Sequence, residues 1–161
     1  MSEAAPILIA YDGSLAARGA IARAAALFPG RSAVVATVWE SSLAALVPDP
    51  GGLGGPTVPI DVEATAEVDE LMRRRAAGLA AEGAERAREA GLDARPVSIE
   101  DGGNVAETLA EIADAHGVDV VVVGSRGHSG IKARLLGSTS ESVLHHCRRP
   151  VLVVRTGDGD D

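Results

Sequence analysis

Aromatic side chains are almost missing from this sequence: one Phe, one Trp and one Tyr stand among 161 residues. That scarcity argues against a base-stacking platform for single-stranded nucleic acid. It also leaves the core to Ala, Val, Leu and Ile, as in layered α/β packing. Cysteine is equally scarce. Cys147 stands alone, so no intrachain disulfide can form, and no paired Cys/His spacing suggests zinc. On the apolar face of the last helix it reads as a buried, inert thiol. Bases are outnumbered by acids, 15 to 23, for a formal net charge of −8, which argues against broad nucleic-acid binding. No apolar run reaches the roughly 18 residues of a membrane span. Residues 1–6 lack the basic-then-apolar order of a secretory signal. The expectation is a cytoplasmic protein with neither a membrane nor a nucleic-acid partner.

What is present suits one domain, since 46% of the residues are apolar and the length permits a packed core. Residues 6–11 read as a first buried strand, ended by Asp12-Gly13-Ser14, with Ser14 placed to cap the next helix. That helix shows Ile21, Ala24, Ala25 and Phe28 on one face and stops at Pro29-Gly30. Residues 33–39 form a second strand. The segment 47–61 is rich in Gly and Pro and reads as a flexible loop, either a lid or a passive connection. A long helix is expected from Val62 to Ala90, with Val68, Met72, Leu79 and Gly83 inward, Gly78 and Gly83 marking close packing, and Gly91 at its end. Residues 94–99 make a third strand, at an edge because Pro96 cannot donate to a ladder. Asn104 and Glu107 suggest a helix cap before Val105, Leu109, Ile112 and His116. Residues 118–123 form a fourth strand. A last helix carries Ser140, Val143, Leu144 and Cys147, and residues 150–155 form a fifth strand. The tail, 156–161, is acidic and expected to be disordered.

Strands alternating with helices imply a parallel sheet, doubly wound in a flavodoxin-like or Rossmann-like order 3-2-1-4-5, with helices on both faces. Ligands of such sheets lie beyond the strands' carboxyl ends where the order reverses, here between strands one and four. Asp12 ends the first of these and Gly124 the second. The connection after strand four carries Gly124, Gly127, Gly137 and Ser138 into the last helix. Glycine lets a backbone approach an anion closely, and a helix N-terminus offers N–H groups; the plainer alternative is that these glycines turn the chain. Between Ser125 and Arg134 stand Arg126, His128, Lys132 and Arg134 with no acid, which suits a polyanion or a solvated basic loop. Asp12 has a plainer role too, as a turn or capping aspartate. His145 and His146 are adjacent on a helix, so they read as solvated rather than as a metal pair. Arg73, Arg74 and Arg75 read as a solvated helix stripe.

Residues 5–155 resemble the universal stress proteins of the ATP-binding kind. The family's signature, G-x2-G-x9-G-(S/T), is matched by Gly124, Gly127, Gly137 and Ser138. Residues 7–14 resemble its first strand and aspartate, and residues 137–144 and 147–154 its ending. The resemblance implies that Ala10, Tyr11 and Asp12 lie against adenine and ribose, with Asp12 accepting from ribose hydroxyls. It implies that Val38 packs on the adenine and that Val123 and Gly124 line the same slot. Gly127, Gly137, Ser138, Thr139 and Ser140 would hold the phosphates through N–H and hydroxyl donors. Trp39-Glu40 departs from the family's smaller residues; Trp39 either narrows the base pocket or points away, since strand neighbours face opposite sides.

The expected function is that of an ATP-binding regulatory protein of the stress response, a nucleotide-dependent switch or sensor acting on a protein partner that the sequence does not name. Mg2+ is an optional companion of the phosphates with no evident protein ligand. The alternative is a slow ATPase or adenine-nucleotide hydrolase. Against it, no Walker lysine follows a G-x4 spacing, no carboxylate pair flanks the glycines, and the S-G-G-x-D-S pattern is absent. A phospho-receiver domain would need an acidic pair after strand one and a lysine ending strand five, where this chain has one acid and Arg155. Strand five, apolar and at a sheet edge, is the expected homodimer seam, as the resemblance also implies.

Overall fold

The computed structural model describes residues 4–42, 61–125 and 136–155. Its strands are β1 (Ile7–Ala10), β2 (Ser32–Trp39), β3 (Asp93–Glu100), β4 (Val120–Gly124) and β5 (Val151–Val154). They form one parallel sheet, as the alternation of elements implies, in the order β3-β2-β1-β4-β5. The helices are α1 (Leu15–Leu27), α2 (Val62–Glu89), α3 (Val105–Ala115) and α4 (Ser138–His146).

Strand periodicity sorts the core into two layers. Ile7, Ile9, Val35 and Val122 pack with α1 and α2 on one face. Leu8, Val34, Ala36, Val121 and Val123 pack with α3 and α4 on the other. Both strand faces are apolar because both are covered. Pro96 sits on outer β3, opposite Val35.

Several expectations are corrected. Val68 and Met72 do not face inward; they are 41% and 39% exposed, because α2 lays small residues on the sheet instead. Gly83 packs closely, but a Cβ on Gly78 would meet nothing within 4 Å. Leu144 is 46% exposed. Cys147 is half-buried and caps the C-terminus of α4 rather than lying within it. The fourth strand begins at Val120, not Val118. The 47–61 loop (except Asp61, which caps α2), the basic stretch 126–134 with Gly127 in it, and the 156–161 tail lie outside the described residues. No helix among the described residues is long and apolar enough to cross a membrane.

Candidate functional site

The sheet's order reverses between β1 and β4, and there the strand ends diverge into a cavity of about 240 Å³. Ala10, Tyr11, Asp12, Val38, Val123, Gly124, Thr139 and Ser140 all line it. Gly137 and Ser138 stand beside it, at the N-cap and first position of α4. Ala36, Val105 and Leu109 also line it, although the sequence marked Leu109 and Val105 only as a helix's core face. Their i, i+4 spacing at the start of α3 was the available signal. Ser14 and Ala17 of the first turn of α1 complete the lining.

The lining is of two chemical kinds. Val38, Val105, Leu109, Ala36 and Val123 give it apolar walls. Asp12, Ser14, Thr139 and Ser140 give it polar groups. Trp39 is not part of the lining, because alternation turns it to the opposite side of β2 from Val38.

Asp12 holds the turn and lines the cavity at once. Its Oδ1 accepts from Ser14 N at 2.9 Å, Ser14 Oγ accepts from Ala17 N at 3.1 Å, and Gly13 adopts φ +80°. The Tyr11 ring points away from the cavity into the α1/α2 layer, where its hydroxyl donates to Glu82 at 2.9 Å. Burial, then the Glu82 hydrogen bond, pushes its phenol up. Tyr11 therefore offers the cavity its backbone.

Each signature glycine has its own reason. A Cβ on Gly124 would lie 2.8 Å from the backbone of Ala16, so this glycine lets α1 close on β4. Gly137 has φ −72°, a value open to any residue. Its N–H donates to Ser125 O at 2.6 Å, so the signature's two ends meet. Ser140 Oγ donates to Gly124 O at 2.6 Å, which fastens α4 to β4 and leaves Ser140 its N–H to offer a ligand.

The N-terminus of α4 differs from the others. Ser14, Asp61 and Asn104 cap α1, α2 and α3 with side-chain acceptors, whereas Gly137 has none to give. The first helical bond is donated by Glu141 N to Gly137 O, so the N–H groups of Ser138, Thr139 and Ser140 precede the helical ladder. They carry the positive end of the helix dipole. Among the described residues, no group of three or more His, Cys, Asp or Glu is placed to hold a metal. His146 approaches Glu107 at 3.4 Å.

The family model of the universal stress proteins matches residues 4–155. The chain belongs to the universal stress protein family. A universal stress protein of Thermus aquaticus is 32% identical over 155 residues, 92% of this chain and 97% of that protein. Universal stress protein G of Shigella flexneri is 51% identical over 53 residues, 33% of this chain; the match spans 37% of that protein, little more than a third. A universal stress protein solved in complex with cAMP superposes with a TM-score of 0.57 at 25% identity, over 97% of this chain and 100% of that one. A family member from Arabidopsis thaliana solved with AMP bound gives 0.60 at 13% identity, over 96% and 93%, a likeness of fold.

Proposed function

We propose that this protein binds an adenine nucleotide, ATP above all, as a regulatory binder in the stress response. The observation that carries the reading is the cavity at the switch point, lined by both apolar and polar residues, with the uncapped N–H groups of α4 beside it. Its volume of about 240 Å³ lies below the ~300 Å³ at which sites for whole ligands start. It suits a base and ribose, with the phosphates outside against Ser138 and Thr139. A helix N-terminus stabilises such anions through its dipole and free donors. Val38 N–H and C=O point to the β1 side of β2, where β1 has already ended, so they would meet the edge of the base. Asp12 would accept from the ribose. The family's nucleotide-bound members support this choice of ligand.

Calorimetric titration with ATP tests the reading. Ser138→Ala should weaken binding by about 1–2 kcal/mol, the scale of a hydrogen bond to a charged group. Gly137→Ala fits the observed backbone, so a loss of affinity there reports a Cβ in ligand space. Unchanged affinity in both variants would remove the phosphates from α4. Turnover should stay well below about 1 s⁻¹, the low end of ordinary enzymes; a faster rate would favour the hydrolase alternative.

We also propose a homodimer through β5. Val151, Leu152 and Val153 are half-buried on an edge strand, and an apolar edge favours pairing with another chain. Val153→Lys should then give monomers by light scattering, and an undisturbed dimer would exclude this seam.

A further inference from the structure

The crevice exists because the β1–β2 ladder stops where it does, and one hydroxyl stands at the stop. Tyr11 N donates to Ala36 O at 2.8 Å. In a parallel ladder the next rung would run from Val38 N–H to Tyr11 C=O. That rung is not made: the pairing register ends at Ala10 opposite Ala36. Tyr11 C=O accepts instead from Thr37 Oγ1 at 2.8 Å, a buried bond. Thr37 is 5% exposed and Tyr11 2%, so this carbonyl has to find a donor, and the Thr37 hydroxyl is the one it has.

We propose that Thr37 is a positioning residue that holds the nucleotide crevice open. By taking the Tyr11 carbonyl with its side chain, it releases Val38 N–H from the sheet and directs Tyr11–Asp12 away from β2. Without the hydroxyl, the nearest backbone donor for the Tyr11 carbonyl is Val38 N–H, and taking it closes the rung. Closure draws Asp12 toward β2, narrows the cavity and occupies the group that would meet the base. The proposal rests on the nucleotide reading above for its consequence, but its structural step is independent of any ligand.

Thr37→Val tests it, because valine keeps the shape and suits a strand. In the nucleotide-free variant, amide exchange at Val38 should slow by about tenfold or more as the rung closes, against unchanged exchange at Ile9 and Val35 in the common core. ATP affinity should fall about tenfold, the scale of one hydrogen bond. Thr37→Ser keeps the hydroxyl and should restore both values, which a loss of packing alone would not allow. If Thr37→Val fails to fold, Thr37→Ala carries the same exchange measurement. Unchanged exchange at Val38, or slowed exchange with undiminished ATP affinity, overturns the proposal. A wild type that binds no ATP overturns the nucleotide reading instead, and the Val38 amide then decides the role of Thr37 alone: slowed exchange upholds it and unchanged exchange overturns it.

Discussion

The two halves of α2 meet different surroundings. In its C-terminal half the buried positions are Ala76, Ala80, Gly83, Ala84 and Ala87, small residues three or four apart that lie on β2 and β3. In its N-terminal half only Thr65 is buried, while Val62, Val68, Leu71 and Met72 are 64%, 41%, 65% and 39% exposed. Length explains the contrast. The helix has 28 residues, about 42 Å at the usual rise, whereas β2 has eight, about 26 Å. Burial along this helix follows the end of the sheet and the closeness of approach, not the size of the apolar side chain. The packed half also reaches the candidate site, because Gly83 underlies the ring of Tyr11, which lines the cavity.

The largest expected effect comes from spoiling the close half. A Cβ on Gly83 would stand 2.7 Å from Tyr11 Cδ1 and 2.8 Å from Val35 Cγ1. Gly83→Ala should therefore destabilise by about 1–3 kcal/mol, as overpacking does, despite alanine's better helix propensity. Displacement of Tyr11 should lower ATP affinity as well. Thermal unfolding with a parallel titration checks both, and a stable variant would mean that α2 can lift off the sheet cheaply.

Five residues earlier the sign should reverse. Gly78 is exposed and a Cβ there meets nothing within 4 Å. Gly78→Ala should stabilise by about 0.5–1 kcal/mol, the ordinary helical gain, with ATP affinity unchanged. Next, Leu71→Gln in the open half should move stability by no more than about 0.5 kcal/mol, as surface substitutions do. A larger loss would show that the exposed stripe is covered in solution.

This helix also shows where sequence reading succeeds and fails. Its existence and limits were legible, since Asp61 caps it and Gly91 at φ +100° follows it. Its inward face was not, because hydrophobicity ranks Val68 and Met72 above Ala80 and Ala84, while close packing on the sheet selects the smaller pair. The same contrast runs through the site. Strand runs and turn residues announced the sheet order and brought Asp12 and Gly124 to one crevice. The signature glycines were legible as a pattern, but not their separate reasons: Gly124 gives way to Ala16, whereas Gly137 carries no positive φ. Thr37 and the hydroxyl of Ser140 were illegible, because each acts on a backbone carbonyl whose missing partner appears only once the strands are paired.

The smallest effect sets two glutamates of α2 against each other. Glu70, in the open half, is bound by Arg73 and Arg74; the Arg73 hydrogen bond first, then that of Arg74, holds its carboxyl down at about 2 against an ordinary 4.5. Glu82, in the packed half, is held low by Arg86 first and then by the Tyr11 hydroxyl. Both folded-state values are depressed. Their contributions are therefore present above the ordinary glutamate range and fade as pH falls through it toward the folded values. Both carboxylates are solvent-exposed, so salt screens the charge part of each. Glu82 differs in that it accepts from a nearly buried phenol, which loses its partner if the carboxylate is removed. At neutral pH, Glu82→Ala should lower Tm measurably, whereas Glu70→Ala, with the same gain in helix propensity, should leave it almost unchanged. The gap should survive added salt, since it comes from an unsatisfied hydroxyl rather than from charge. It should narrow only slightly in acid, because both glutamates lose their arginine pairing alike while a protonated Glu82 still has an oxygen to accept from the Tyr11 hydroxyl. Equal melting temperatures for the two variants would mean that the Tyr11 hydroxyl finds another acceptor, and that the two halves of α2 differ in packing alone.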